Sequence, residues 1–408
     1  MELVPIILQL RRRKLGAFLV GLQVALTIAI VCNSLAIIHQ RLEQIRRPSG
    51  LDEANTFTIW NEFVGPSADL AARIQGDVAA LRSLPGVSDV SATNGFPLRG
   101  YGFRAALKLA PEQRQAAAYA AEYHVDQHVA GAWGLKLLAG RWFMPDEIRD
   151  DIGGDTDRSS ATAVVSKSLA QALYPAGDAL GKDIYLDSVN HTRIVGIVDR
   201  AQAPWAANGL KESEWPSEHS VFLPKHEIRR SLVYLVHTRI GQQDAMMSAA
   251  PKALFKLSRA RIVDDVKSFA QTRAEIYHAA RGLSVTLAIL SILLLGVATC
   301  GIFGLTTFWV TQRRRQIGMR RALGARRSHI LEYFHTENLL ITGAGAMLGV
   351  ALGLAANLWL ATQWQLRPMA VGYLLIGAFL VLALSQAAVI WPALRAASIS
   401  PASAMRDI

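Results

Sequence analysis

The sequence predicts a membrane protein with four transmembrane α-helices and a large α/β (α+β) domain inserted between the first and second helices. Three observations lead to this fold class: four long uncharged apolar stretches, positive charge concentrated beside them, and alternating strand and helix patterns between the first two. The chain has 408 residues, of which 51% are hydrophobic and only 18% are charged, and its formal net charge is +11. An average soluble protein has about 25% charged residues. The composition therefore excludes a disordered chain and indicates that apolar residues are concentrated in particular segments.

The four apolar stretches are each long enough to cross a bilayer, which takes about 20 residues of α-helix. None of them contains Asp, Glu, Lys or Arg. Buried helices of a soluble domain are a poor alternative, because four such uncharged runs would have to arise by chance. The first run is too long for a cleaved signal peptide, so we expect it to remain as an anchor. The predicted spans are residues 15–38, 283–310, 339–360 and 371–390.

Positive charge predicts the orientation of these spans, because Lys and Arg are retained in short cytoplasmic loops. Three arginines and a lysine at residues 11–14 precede the first span, and seven arginines lie in the loop 311–338. We therefore expect this loop, the N-terminal segment 1–14 and the tail 391–408 in the cytoplasm, and residues 39–282 outside. A topogenic role next to membrane lipid explains the arginines, and nucleic acid is not expected as a partner.

The external segment has the pattern of two β-α-β halves separated by an insertion. Strand-like runs at 56–60 and 87–92 flank an amphipathic helix pattern, and strand-like runs at 232–240 and 261–266 flank another helical stretch. We therefore expect one split subdomain at about 50–98 and 218–270, an inserted subdomain at about 99–217, and a stalk at about 271–282.

One run in the insertion has the spacing of a metal site. Alternate positions carry four ligand-type side chains, which a strand would place on one face: Glu122, His124, Asp126 and His128. The preferred interpretation is the solvent face of a half-buried strand, with Tyr123 and Val125 pointing inward. No nucleophile elbow of the G-x-S-x-G type occurs. We therefore expect no catalytic, cofactor-binding or metal-binding residue, and no enzyme activity in this chain.

The third span carries a stripe of small residues, since Gly345, Gly349 and Gly353 recur at every fourth position. This spacing lets another helix backbone approach closely, which predicts packing within the bundle or across a dimer. Glycines tolerated on a lipid-facing surface are the weaker alternative. No helix breaker lies between Gln271 and Arg281, so we expect the second span to begin outside the membrane as a helical stalk.

Several motifs have the pattern of a known family. Residues 313–325 read RRRQIGMRRALGA, residues 392–406 read PALRAASISPASAMR, and Glu337 precedes the third span. In the external segment, residues 84–87 read LPGV and residues 134–143 read GLKLLAGRWF. Together these motifs resemble the permeases of MacB-type and FtsX-type ABC transporters, whose signature segment is R-x-R-E-I-G-[IM]-R-[RK]-A-L-G-A. The external motifs are more similar to the MacB-like group.

The resemblance implies a function and a set of partners. In this family, dimers of four-span permeases in the bacterial inner membrane bind cytoplasmic ATPase subunits, and ATP-driven closure is transmitted through stalk helices to periplasmic domains. The chain itself would bind no cofactor, with ATP and Mg²⁺ on the ATPase. A second copy or a paralogue would complete the dimer, and a periplasmic adaptor and outer-membrane channel are possible additions. The cargo would be a peptide, a drug-like molecule or a lipoprotein.

The resemblance also implies where the ATPase is coupled, and it leaves alternatives open. Gln316 stands where the family usually has Glu, which could mark the degenerate half of a heterodimer. The ATPase is expected on a separate polypeptide, because few residues precede the first span. An FtsX-like subunit that switches a periplasmic partner without transporting anything is the alternative function. The expected coupling residues are Arg313, Arg315, Gln316, Ile317, Gly318, Met319, Arg320, Ala322, Leu323 and Gly324.

Overall fold

The computed structural model describes residues 14–66, 69–152, 160–186, 191–205, 215–323, 326–364 and 369–398. Gly324, most of the predicted N-terminal segment and the end of the predicted tail lie outside these ranges. The chain forms two compact units. The helical unit comprises Met1–Glu43 and Ala280–Ile408, and the α/β unit comprises Gln44–Ala279.

Four long helices contain the predicted spans, which confirms the predicted fold class. They are TM1 (Lys14–Arg46), TM2 (His278–Gln312), TM3 (Arg327–Trp364) and TM4 (Val371–Ala397). Their most apolar stretches have mean hydropathies between 2.0 and 2.4. All four helices extend past the apolar runs, because polar residues at helix ends continue the backbone hydrogen-bond ladder outside the apolar part. TM3 therefore begins at Arg327, and the predicted start at 339 marks only its apolar part.

Apolar side chains of TM1 form the centre of the helical unit. Val24, Ile28 and Cys32 are fully buried, in one cluster with Val381 and Val389 of TM4. TM1 thus packs among the other helices rather than standing apart as a lone anchor.

The described residues of the α/β unit form twelve strands and five α-helices. In chain order they are β1 (Thr56–Phe63), α1 (Leu70–Arg82), β2 (Val87–Thr93), β3 (Phe103–Leu107), β4 (Ala118–Val125), α2 (Val129–Trp133), β5 (Leu137–Gly140), a 3₁₀ turn (Pro145–Glu147), β6 (Arg149–Asp151), β7 (Thr162–Ser166), α3 (Lys167–Leu173), β8 (Asp183–Tyr185), β9 (His191–Val198), β10 (Ser220–Glu227), β11 (Ser231–Thr238), α4 (Gln243–Leu257), β12 (Arg261–Ser268) and α5 (Phe269–Ile276).

The first sheet is formed by the two halves of the split subdomain. Its strand order is β12-β1-β11-β2, and every neighbouring pair is antiparallel. The helices α1 and α4 bury their apolar faces against it, with Ile74, Leu81 and Leu254 in the shared core. Two β-α-β halves that interleave their strands in this way form a split β-α-β arrangement.

The second sheet is the inserted subdomain, and it extends further than predicted. Its strand order is β3-β4-β10-β7-β9-β5, with β6 paired to β10 and β8 to β9. The predicted boundary at residue 217 is wrong, because β10 pairs with β4 and β7 inside this sheet. The local sequence would predict that β10 pairs with its sequence neighbour β11. Pairing with the more distant strands β4 and β7 overrides this preference.

A single aromatic core joins the two sheets. Tyr123 lies 5.0 Å from Trp133 and 5.3 Å from Phe222 between ring centroids, and Val233 and Leu235 of the first sheet belong to the same cluster. Large side chains of this kind supply most of the hydrophobic burial in a soluble core. The described part of the α/β unit therefore has two sheets with one continuous interior between them.

The predicted uninterrupted stalk helix is wrong. The helix α5 ends at Ile276, Tyr277 forms a turn, and TM2 begins at His278. Tyr277 is buried, and its N–H donates to the carbonyl oxygen of Arg273. Burial of this side chain overrides the local helix propensity of the segment.

Candidate functional site

The segment between TM2 and TM3 is helical rather than a loop. TM2 ends at Gln312, and a separate helix, here named the linker helix, runs from Arg314 to Ala322. TM3 then begins at Arg327. The prediction of a loop at 311–338 is therefore corrected: most of its residues belong to helices, because the polar arginines do not prevent helix formation.

A buried ion pair fixes the start of the linker helix to TM3. Arg313 donates two parallel hydrogen bonds to Glu337, at 2.7 Å and 2.9 Å, and a third to the hydroxyl of Tyr333 at 3.1 Å. Both charged residues are buried. Removing one partner of a buried pair leaves an uncompensated charge, which is strongly unfavourable. The bidentate geometry therefore holds the hinge between TM2 and the linker helix in one position.

The linker helix divides the predicted coupling residues into two groups. Ile317 and Gly318 are buried, and Ile317 belongs to the apolar core of the helical unit. Met319 and Leu323 are 65% and 84% exposed. The two groups differ because the helix buries only one of its faces. Arg315, Gln316 and Ala322 are also exposed, and the structure does not describe the side chain of Arg320.

The glycine stripe of TM3 lies against TM1 of the same chain. A Cβ added at Gly345 would be 2.6 Å from the backbone oxygen of Gly21, and one at Gly349 would be 2.7 Å from that of Ala25. A Cβ at Gly353 would be 3.4 Å from the Cα of Ala29. Helix backbones in membranes approach this closely only where side chains are small.

The matching small residues on TM1 were missed by sequence reasoning. Gly21, Ala25 and Ala29 repeat at every fourth position, as the glycines of TM3 do. A search for paired small-residue stripes on two spans would have found this helix pair.

Two buried asparagines reinforce the same helix contact. The Asn33 side chain of TM1 donates to the carbonyl oxygen of Gly353 at 3.0 Å, and Asn357 of TM3 donates to the Asn33 oxygen at 3.3 Å. Buried amides that pair across helices stabilise membrane bundles modestly. Sequence reasoning missed them because it searched the spans for charges, and asparagine carries none.

A second ion pair lies near the two ends of the chain segment that forms the α/β unit. Arg273 of α5 donates to Glu53 at 2.9 Å and to the carbonyl oxygen of Ile45 at 2.8 Å. Burial opposes the charged form of Glu53, but hydrogen bonds from Arg273 and Ser49 outweigh it and lower the pKa of Glu53. The pair therefore joins the beginning of the unit to its last helix.

The run of alternating ligand-type residues does not face solvent. Glu122 and His124 are each only 3% exposed, and Asp126 is also buried. The preferred interpretation of a solvent face is wrong, because β4 lies inside the second sheet and both of its faces are covered. Asp126 instead accepts a hydrogen bond from Ser91 at 2.9 Å, and His128 lies beyond the end of the strand.

Two family models match the chain. The MacB-like periplasmic core domain matches residues 18–264, and the FtsX-like permease C-terminal domain matches residues 288–401. The first match alone covers more than half of the chain. These matches confirm the resemblance found in the sequence.

Curated relatives named "Macrolide export ATP-binding/permease protein MacB" are similar to part of the chain. The protein of Rhodopseudomonas palustris is 29% identical over 237 residues, which are 55% of this chain and 33% of the relative. The protein of Chlorobium luteolum is 25% identical over 286 residues, which are 65% of this chain and 40% of the relative. The chain thus spans between a third and two fifths of the length of these relatives.

Among solved structures, the crystal structure of the periplasmic region of MacB from Actinobacillus actinomycetemcomitans is similar at 17% identity and a TM-score of 0.34. The match covers 57% of this chain and 97% of that chain. The family models and the four apolar helices identify an inner-membrane protein of the permease type. The chain belongs to the MacB-like and FtsX-like family of ABC transporter permeases.

Proposed function

We propose that this chain is the membrane subunit of an ABC transporter that transmits force rather than forming a channel. ATP binding and hydrolysis, with Mg²⁺, take place on a cytoplasmic ABC ATPase. The resulting motion reaches the α/β unit in the periplasm and drives export of a peptide, a drug-like molecule or a lipoprotein. Two permease copies, or one copy and a paralogue, form the working dimer.

The linker helix is the single observation that carries this proposal. Its first residue follows a buried Arg313–Glu337 pair, so its position is rigidly tied to TM3. Its other end presents Met319 and Leu323 to the surroundings. Large exposed apolar side chains next to charged ones are typical of protein-binding surfaces. A partner that presses on these side chains would move TM2 and TM3 together.

The positive charges support a cytoplasmic position for the linker helix. Arginines at residues 313–315, 320–321 and 326–327 flank the ends of two apolar helices. Lys and Arg next to a span are retained in the cytoplasm. With four spans, this orientation places both chain ends in the cytoplasm and the α/β unit in the periplasm.

The test is capture of the ATPase by the purified chain. Affinity purification from native membranes in mild detergent should recover an ATPase together with vanadate-sensitive ATP hydrolysis. The double substitution M319Q/L323Q should reduce the recovered ATPase at least tenfold, because interface side chains of this kind contribute about 1–2 kcal/mol each. A matched control is Ile240→Gln, which changes a highly exposed apolar residue of the α/β unit.

The outcomes separate the alternatives. Equal ATPase recovery by M319Q/L323Q and by the unchanged chain would remove the linker helix from the coupling site. ATPase recovery without any ATP-dependent release of cargo would favour the FtsX-like role, in which the chain switches a periplasmic partner.

A further inference from the structure

The buried cluster around His124 has no role in the proposed function. β10 is a parallel neighbour of β4, with Leu223 opposite His124, and a parallel neighbour of β6, with Glu227 opposite Asp151. Side chains alternate between the faces of a strand, and opposite residues share a face. The register therefore places Glu122, His124, Asp151 and Glu227 on one face of the second sheet.

Three of these side chains converge on one point. His124 Nδ1 lies 2.7 Å from Glu227 Oε2 and 3.4 Å from Asp151 Oδ2. One donor atom from each residue lies within 4.8 Å of the other two. In a tetrahedral site with metal–ligand distances of about 2.0–2.2 Å, neighbouring donors are about 3.4 Å apart. Small side-chain rotations would thus bring the three donors to metal-binding distances.

Glu122 occupies the position of a supporting carboxylate. Its Oε1 lies 2.9 Å from His124 Nε2, on the side of the ring away from Asp151 and Glu227. A histidine that binds a metal through one nitrogen usually donates its other ring N–H to such a carboxylate, which fixes the tautomer and the ring orientation. The pair Glu122–His124 has this arrangement.

One oxygen of Glu122, Oε2, is buried without a hydrogen-bond partner among the residues that the structure describes. A buried carboxylate oxygen without a partner is unfavourable. A divalent cation bound on the opposite side of His124 would stabilise the negative charge of Glu122. The unpartnered oxygen of Glu122 is an observation independent of the three converging donors.

An arginine contacts two of the proposed ligand residues through their other carboxylate oxygens. The Arg229 guanidinium contacts Glu227, and it lies 3.9 Å from Asp151 Oδ1. The side chain of Arg229 is 38% exposed, so it can turn into solvent when a metal replaces it. Glu227 also lines a cavity of about 210 Å³.

We propose that His124, Asp151 and Glu227 bind one divalent transition-metal ion, with Glu122 as the positioning residue. The imidazole nitrogen favours Zn²⁺ over Mg²⁺ and Ca²⁺, which prefer oxygen ligands. Three protein ligands leave a fourth position for water. The bound ion would tie the three-residue strand β6 to β4 and β10.

The experiment is a titration of the purified full-length chain in detergent with Zn²⁺, in competition with a chromophoric chelator. We expect one ion per chain. H124Q and E227Q should each weaken binding at least 100-fold, and E122Q should weaken it about 10- to 100-fold, as loss of a supporting carboxylate does. His226→Gln is the matched control, because His226 is the sequence neighbour of Glu227, is partly exposed, and pairs with Asp150 at 3.0 Å rather than with the proposed ligands.

Three results would overturn the proposal: no saturable Zn²⁺ binding, unchanged affinity in H124Q, or displacement of Zn²⁺ by an equal concentration of Mg²⁺. Hydrogen exchange of β4 reports whether each variant is folded. If H124Q is unfolded, D151N replaces it, and that variant must lose affinity while H226Q does not.

Discussion

The interiors of the two units are stabilised by different kinds of contact. The α/β unit buries large aromatic side chains, such as Trp133 and Phe222, between its sheets. In the helical unit, TM1 and TM3 meet through Gly349 and Ala25, whose backbones approach closely. Burial of large apolar groups is favourable in water, whereas lipid tails offer helices no comparable driving force. Each unit thus has the packing that its surroundings require.

The two units also differ in where they place a buried ion pair. In the α/β unit, Arg261 of β12 contacts Asp77 of α1 inside the first sheet's core, and both side chains are 1% exposed. In the helical unit, the Arg313–Glu337 pair lies at the end of TM2, at the hinge of the linker helix. The first pair fixes a core, and the second fixes the point where we expect motion to enter.

The largest expected effect is in the α/β core. Arg261→Met should reduce the free energy of unfolding of this unit by about 3–5 kcal/mol, because the buried Asp77 carboxylate loses its charged partner and keeps, among the described residues, only the hydrogen bond from the Tyr234 hydroxyl. Hydrogen exchange of β1 and β12 in the full-length protein measures this change. The double variant D77L/R261M should recover much of the loss. A single variant as stable as the unchanged protein would show that the pair does not hold the sheet.

A smaller effect is expected in the helical unit. Gly349→Leu should destabilise the TM1–TM3 contact by about 1–3 kcal/mol, since a Cβ at this position would lie 2.7 Å from the Ala25 oxygen. The thermal unfolding temperature in detergent measures the loss. Gly343→Leu is the matched control on the same helix, because no atom lies within 4 Å of its added Cβ. Equal losses in both variants would contradict close packing at Gly349.

The smallest effect concerns pH and the Glu53–Arg273 contact. The pKa of Glu53 is lowered in the folded protein, so the unfolded chain binds more protons as the pH falls. The ionised Glu53 contributes its full stabilisation to the folded unit above the pKa of the unfolded chain, about 4.3, and this stabilisation is lost as the pH falls through the folded pKa. Arg273→Met should remove up to about 1 kcal/mol at pH 7 and flatten this acid dependence. Unfolding temperatures at pH 7 and below pH 4 measure it.

The control for this comparison is Arg259→Met, which removes one exposed positive charge elsewhere on the α/β unit. Its unfolding temperature should keep the acid dependence of the unchanged protein. An identical acid dependence in R273M would contradict the assignment to Glu53.

The membrane-spanning architecture could be predicted because composition alone reports it. Uncharged runs of the required length have few alternatives, and the four long helices contain all of them. The split first sheet was predictable from local patterns at its strands. The strand β10 was not, because its pairing with β4 joins residues about a hundred positions apart.

The candidate sites show the same limit. The motif at residues 313–325 was visible in the sequence, but the separation of buried Ile317 from exposed Met319 required the helix and its neighbours. Period-two spacing correctly placed Glu122 and His124 on one face. It could not report that this face is covered, nor that Asp151 and Glu227 complete the group from two other strands.

The central claim is that ATP hydrolysis on the ATPase is transmitted through the linker helix and changes the α/β unit. The most direct test is hydrogen exchange of the α/β unit in the ATPase-bound protein, with and without ATP and vanadate. We expect ATP and vanadate to change the hydrogen exchange of α5, whose Arg273 contacts Glu53, in the unchanged protein. The same addition should have no effect in M319Q/L323Q that retains its fold. An identical change in both proteins, or none in either, would contradict the claim.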